Sequence, residues 1–269
     1  MSAPVGWAQE SLLPAQFGAG LLRVDLGAGV VAGFTTRHGG VSPAPWSSLD
    51  LGTSTGDDPV RVRENRARLE RWVGAPVAFA AQVHGREVLE LGEAERERWA
   101  SDAPPLVSGE ADALVTATAG LGLGVLVADC VPVVLADPVA RVVAVAHAGR
   151  RGTELGVVDA VLDAMVARGA RTADVRAAVG PAVCGRCYEV PAELAAQVSR
   201  VVPETASATA AGTPALDLPR GVLAQLAGRG VAAVHVDRCT LTDPDLYSHR
   251  RATAAGTTTG RQAGVVTLT

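Results

Sequence analysis

The sequence predicts an α/β protein organised as one domain with many short strands. Three observations point there. Short β-branched runs follow one another from Ala111 to Ala146, with turn residues between them too few to hold helices. Longer stretches with helical apolar spacing flank these runs. A chain of 269 residues, 48% of them hydrophobic, with no internal repeat and no low-complexity tail, can enclose a large core.

The elements read in order as follows. Leu21–Asp25 and Val30–Thr35, joined around Gly27 and Gly29, form a hairpin. Asp58 caps and Pro59 opens a helix through Val60–Val73, which stops at Gly74. Its many Arg and Glu residues place it on the surface. Val77–Val83 is a strand that delivers His84 at its end, and Arg86–Leu91 continues the sheet. Ala111–Thr116, Gly122–Ala128, Pro132–Ala136 and Arg141–Ala146 are strands in antiparallel or mixed pairing. Gly152–Arg168 is the clearest helix, with Leu155, Val158, Val161, Leu162, Met165 and Val166 on one stripe and Gly169 closing it. Val175–Val179 and Val231–Val236 are strands, and Pro191–Val201 and Pro219–Ala227 are helices. Pro203–Pro214, rich in Ala, Thr, Ser and Gly, is a loop.

Composition narrows the function classes. A formal net charge of −4 with 19% charged residues gives no global attraction to nucleic acid or to an anionic membrane. The stretch Leu121–Ala136 is interrupted by Asp129 and Pro132 and is too short to span a bilayer. Met1 to Leu22 lacks the basic start and apolar run of a signal peptide. Four cysteines are too few for a disulfide scaffold at this length. A cytoplasmic protein with reduced thiols is the expectation.

The chemistry-bearing residues are His84, Cys130 and His147, each just after a predicted strand, where side chains converge at a sheet edge. Two imidazoles and a thiolate suit Zn²⁺ and leave one coordination position open. The same residues also fit a nucleophilic thiolate, Cys130, with His147 as its base. Cys184-Gly-Arg-Cys187 lacks a second such pair and reads as a structural loop rather than a redox centre. Arg37 follows a strand end. Arg150 and Arg151 open the long helix, where guanidinium groups and backbone N–H groups favour an anion. His38, His235 and His249 have no such setting and are read as non-ligands.

Taken together, the motifs are recognisable. Thr35-Thr36-Arg37-His38-Gly39-Gly40-Val41-Ser42, Ser48-Leu49-Asp50-Leu51-Gly52, Gly56-Asp57-Asp58-Pro59, Glu64-Asn65-Arg66 and Gln82-Val83-His84-Gly85 are followed by Ala111-Asp112-Ala113, Ala128-Asp129-Cys130-Val131-Pro132 and Ala146-His147-Ala148-Gly149. Gly180-Pro181-Ala182, Cys187-Tyr188-Glu189-Val190, Asp217-Leu218, Cys239-Thr240, Arg250-Arg251 and Thr259-Gly260-Arg261-Gln262-Ala263 complete the series. In this order the chain resembles the YfiH-type, laccase-domain family, whose members are described as polyphenol oxidases and as purine nucleoside phosphorylases. The match runs over about residues 20–268.

The resemblance implies one catalytic domain across residues 1–269, a layered α/β/β/α sandwich with mixed sheets, similar to the catalytic domain of cytotoxic necrotizing factor. It implies that His84, Cys130 and His147 hold a catalytic zinc. For activity it implies phosphorolysis of adenosine, inosine and methylthioadenosine, and deamination of adenosine. Asp129 is then the candidate proton shuttle, and Arg37 and Arg151 are the candidate phosphate ligands. A purine nucleoside and phosphate are the expected partners of a monomeric chain that binds neither nucleic acid nor membrane. Two other activities stay open: a hydrolase removing misincorporated amino acids from peptidoglycan precursors, and a copper-dependent polyphenol oxidase. The sequence departs from the family's His-Ala-Gly-Trp-Arg-Gly at Arg150, which stands where the Trp is usual. Trp46 and Tyr188 are the available stacking groups.

Overall fold

Left-handed glycines set the first turn. Gly27 and Gly29, at φ +114° and +73°, bend β1 (Leu21–Val24) back onto β2 (Val30–Thr35), with Leu21 opposite Thr35. The structure, a computed structural model, describes residues 20–101 and 107–269. The expectation that Met1 to Leu22 is not a signal peptide falls, up to position 19, outside the described residues.

Helix α1 (Pro59–Val73) has the expected ends: the Asp58 side chain accepts from Val60 N, and Gly74 closes it at φ +82°. It is more than a surface helix. One face buries Val62, Leu69 and Val73, together with Asn65 and Arg66. Asn65 accepts from Val41 N at 2.9 Å and donates to Ser42 Oγ and Asp50 O, so the helix anchors the long loop after β2.

Strand β3 (Val77–Phe79) ends earlier than predicted. A bridge from Ala81 to Glu110 and a turn intervene before His84. Strand β4 (Val88–Glu90) precedes α2 (Glu93–Trp99), a short charged helix whose one buried residue is Trp99. With a single apolar anchor it has no stripe to read. The four expected strands form as β5 (Ala113–Thr116), β6 (Gly122–Val127), β7 (Val131–Asp137) and β8 (Val142–Ala148).

The predicted helix over Gly152–Arg168 is two helices. α3 (Arg150–Leu155) and α4 (Val157–Ala167) meet at Gly156, which sits at φ +80° and breaks the hydrogen-bond ladder. The break rotates the stripe: Val158, Val161, Leu162 and Met165 are buried, but Leu155 and Val166 are exposed.

Strand β9 (Arg176–Val179) and helix α5 (Ala192–Val201) follow. The segment read as a loop over Pro203–Pro214 carries a 3-10 turn at Pro203–Thr205 and a hairpin of β10 (Ala206–Ala208) with β11 (Pro214–Leu216). Its small polar residues concealed a two-stranded ribbon. Then come α6 (Leu218–Gly228), β12 (Ala232–His235), α7 (His249–Ala254) and β13 (Gln262–Leu268).

Among the described residues, the strands other than the β10–β11 ribbon form two mixed sheets, ordered β1-β2-β13-β6-β3 and β12-β9-β7-β8-β5-β4. The pairs β3·β6, β4·β5 and β9·β12 are parallel. The buried clusters show four layers. Leu69 and Val73 of α1 pack on Val77, Phe79, Ala263 and Val265 of the first sheet. Phe34, Leu123 and Val125 face Val134, Val143 and Val145 across the gap between the sheets. Val133, Leu135 and Ala144 on the far side of the second sheet pack against α4 and α6. This is the α/β/β/α sandwich, with β7 and β8 fully buried on both faces.

Candidate metal centre

Side chains alternate along β8, so His147 shares the inter-sheet face of Val143 and Val145. It is 2% exposed. Cys130 lies in the turn between β6 and β7, which run in different sheets. That turn is held open by Asp129, a non-glycine residue at φ +93°. Three contacts fix it: Thr240 Oγ1 donates to Asp129 Oδ1 at 2.6 Å, Arg250 N donates to Oδ2 at 2.7 Å, and Val183 N donates to the carbonyl at 3.0 Å. His84 is a second strained residue, at φ +58°.

Asp112 holds His84 in place. Its carboxylate is fully buried and accepts four N–H groups. His84 N and His147 Nδ1 reach Oδ1 at 3.0 and 2.8 Å, and Val83 N and Gly85 N reach Oδ2 at 3.1 and 2.6 Å. One carboxylate thus shapes the 83–85 turn and orients the His147 ring. Burial pushes its carboxyl upward, but hydrogen bonds from His147, Gly85 and Val83 prevail and hold it below the ordinary carboxylate range.

The three predicted ligands converge. The ligand atoms of His84, Cys130 and His147 all lie within 4.8 Å of one another. Cys130 Sγ is 3.9 Å from His84 Nε2, and the two rings meet edge to face at 4.8 Å between centroids. A tetrahedral zinc with ordinary bond lengths needs sulfur and nitrogen about 3.6 Å apart. The Cys130–His84 pair matches that separation within a few tenths of an ångström, and the whole set lies within 4.8 Å. With Nδ1 of His147 bonded to Asp112, its Nε2 is left for an ion. Gly149 makes the approach possible, because a Cβ there would stand 2.9 Å from His84 Cδ2 and 3.2 Å from Cys130 Sγ.

Charge reinforces the arrangement. Burial opposes ionisation of the Cys130 thiol, but His147 and His84 outweigh it and bring its pKa down to about 6. Burial also opposes imidazolium at His147, yet the Cys130 charge and the Asp112 hydrogen bond lift it to about 9.

Cys130 borders a cavity of about 550 Å³, a volume within the range of small-molecule sites. Tyr188, Arg150, Arg250 and His249 also line it. Arg250 stacks over the Tyr188 ring at 4.9 Å, and Arg150 pairs with Glu154 at 2.7 Å. Arg150 is one of the two arginines expected at an anion-binding helix start, but the pair expected to hold phosphate is Arg37 and Arg151. Arg37 donates to Ser47 O at 2.6 Å, lies over the Tyr247 ring and braces the loop after β2. Arg151, the next residue of α3, is exposed. Neither lines the cavity. Asp129 does border it, but both of its oxygens are engaged in holding the Cys130 turn.

Asp112 was not singled out from the sequence, although Ala111-Asp112-Ala113 stood among the motifs. An acidic residue between two alanines at a strand start was the available signal. Of the histidines set aside, His38 bonds Asp245 at 2.8 Å and His249 reaches the cavity wall.

Residues 31–269 match the family described as multi-copper polyphenol oxidoreductase laccase. The chain belongs to this family. It is 52% identical over 240 residues to the purine nucleoside phosphorylase ORF3 of Streptomyces griseus, covering 87% of this chain and 93% of that one. It is 46% identical over 236 residues to a purine nucleoside phosphorylase of Mycobacterium tuberculosis, covering 86% and 89%. Among solved structures, YlmD from Geobacillus stearothermophilus superposes with a TM-score of 0.83 at 33% identity, over 94% of this chain and 98% of that one. The Bacillus licheniformis hypothetical protein YfiH also gives 0.83, at 29% identity over 93% and 97%. Among the described residues no helix is long and apolar enough to cross a membrane.

Proposed function

We propose that this chain is a zinc-dependent purine nucleoside enzyme that phosphorolyses adenosine, inosine and methylthioadenosine and deaminates adenosine. One observation carries the reading: the His84–Cys130–His147 set, its histidines held by a buried Asp112, reaches through Cys130 a cavity of about 550 Å³ walled by Tyr188 and two arginines. Relatives named purine nucleoside phosphorylase support it. His84, Cys130 and His147 would hold the zinc ion, which would supply Lewis acidity to the reaction.

The chain's own residues do the rest. Tyr188 offers a face for the purine to stack on, held rigid under Arg250. Arg150 and Arg250 place positive charge at the cavity wall, where it attracts phosphate, and the phosphate anion so held faces the positive charge that develops at C1′. Asp129 fixes the Cys130 turn through Thr240 and Arg250 N, and we give it this positioning role ahead of proton transfer. His249, on the cavity wall, is the titratable group free of these duties.

A second reading rests on a separate observation. Cys130, His147 and Asp112 form a nucleophile, a base and an orienting carboxylate in series. This order suits a thiol hydrolase acting on an amide, such as one removing misincorporated residues from peptidoglycan precursors. Copper-dependent phenol oxidation fits the family's description, but five histidines in the whole chain cannot furnish a multicopper cluster.

The deciding experiment is product analysis by mass spectrometry of metal-quantified protein with adenosine, with and without phosphate, beside Cys130→Ala. Adenine with ribose 1-phosphate, or inosine, lost together with a metal equivalent in the variant, supports the nucleoside reading. Metal-loaded protein that turns over no nucleoside but cleaves a UDP-linked muramoyl amino acid overturns it.

A further inference from the structure

The remaining three cysteines also meet. Cys184 and Cys187 bracket a tight turn in which Cys187 N and Tyr188 N both donate to Cys184 O, at 2.9 and 3.0 Å. Cys239 reaches them from a strand-like segment, where Ala182 bridges to Cys239 and Thr240 N donates to Ala182 O at 3.0 Å. The backbone N–H of Cys184 points at Cys239 Sγ, 3.5 Å away. All three thiols are free and half-buried, and their sulfurs lie within 4.8 Å of one another.

This spacing is close to what a metal needs. With sulfur–zinc bonds of about 2.3 Å, the sulfurs of a tetrahedral site stand about 3.8 Å apart. The rotatable side chains of a half-buried turn can close the difference. Three thiolates are a soft donor set that selects Zn²⁺ or Cu⁺ over hard cations. Beside the cluster, Cys184 borders a cavity of about 180 Å³ whose other lining residues include Asp217, His235 and Asp237. A fourth ligand from water or a small molecule has room there.

We propose that Cys184, Cys187 and Cys239 form a second metal site, separate from the His84–Cys130–His147 set, taking a thiophilic d¹⁰ cation, Zn²⁺ or Cu⁺, through three thiolates. Bound metal would tie the Cys184–Tyr188 turn to the Cys239 segment. Tyr188 forms part of the large cavity's wall, and Val183 N braces the Cys130 turn through Asp129 O. The second site would therefore stiffen one side of the first. The inference does not depend on what reaction the first set performs.

The test uses reduced, full-length Cys130→Ala protein, in which the first set has lost its only thiolate. Co²⁺ added as a probe should give sulfur-to-cobalt charge-transfer absorption at one equivalent, and Zn²⁺ should abolish it. Competition between Zn²⁺ and Cu⁺, with a chelator specific for each, tells which cation the site prefers, and tight binding of either supports the proposal. Adding Cys184→Ser or Cys239→Ser should weaken binding at least 100-fold. If those variants do not fold, iodoacetamide mapping of the Cys130→Ala protein decides, because bound metal should shield Cys184, Cys187 and Cys239 together. No cobalt–thiolate absorption, or alkylation of the three thiols at the same rate with and without Zn²⁺ and Cu⁺, overturns the proposal.

Discussion

Asp112→Asn is the most informative single change. The wild-type carboxylate accepts two N–H groups at each oxygen: His84 N and His147 Nδ1 at one, Val83 N and Gly85 N at the other. An amide offers one accepting oxygen and one donating nitrogen. Whichever way it is turned, two N–H donors face an NH₂ group. Each orphaned buried donor costs about 1–3 kcal/mol, so the pair costs about 2–6 kcal/mol. The 83–85 turn is only partly buried, which favours the lower half of that range. Part of the cost should appear as lost stability. The rest should appear as weaker metal binding, because loss of an outer-shell carboxylate typically lowers affinity about 10–100-fold, or about 1.4–2.7 kcal/mol. The assay pairs a competition titration against a chromophoric zinc chelator with urea denaturation of the metal-stripped protein. Zinc affinity within about threefold of wild type, with an unchanged urea midpoint, would refute the view that Asp112 organises both histidines.

Three further outcomes follow from the same geometry. Gly149→Ala places a Cβ 2.9 Å from the His84 ring in a backbone at φ −70°, so metal affinity should fall at least tenfold while stability of the stripped protein changes by less than about 1 kcal/mol; equal losses in both would contradict a local clash. In metal-free protein the depressed Cys130 thiol is ionised above about 6, so its alkylation rate should be flat near neutrality and fall as pH drops through about 6, with the Asp112→Asn variant titrating higher; a midpoint near the ordinary thiol value would remove the thiolate–imidazolium pair from the account. Arg250→Ala or Arg150→Ala should raise the KM for phosphate about tenfold or more, whereas Arg37→Ala and Arg151→Ala should not, and the reverse order would restore the pair expected from sequence.

Much of this molecule is legible in the residues themselves. The Asp58–Pro59 cap, the Gly74 stop and the buried runs of β5 to β8 declare themselves locally, because capping and apolar patterning act within a few residues. Residue types alone mark His84, Cys130 and His147, since few side chains bind a soft metal. What they do not show is convergence. β13 is not legible in this way, although it lies at the centre of the first sheet between β2 and β6, because Gly264 interrupts its apolar run. That glycine is needed where Phe34 and Pro132 close in, at 3.2 and 3.1 Å from an added Cβ.

The remaining decisions belong to tertiary structure. Arg37 and Arg151 carry the charge that phosphate requires, but Arg37 is bonded to Ser47 O and Arg151 is exposed outside the cavity lining, while Arg150 and Arg250 line the cavity. Asp112 gains its role only because β5 pairs with β8 and sets it beside His147. Cys239 lies far along the chain from Cys184 and Cys187, and the parallel pairing of β12 with β9, continued by the bridge at Ala182, brings it to them. Sequence alone determined which chemistry this protein has to work with, because donor type and local patterning are properties of single residues and short segments. Only the packing of two sheets decided which of those groups meet, because distance between remote residues is set by the whole fold.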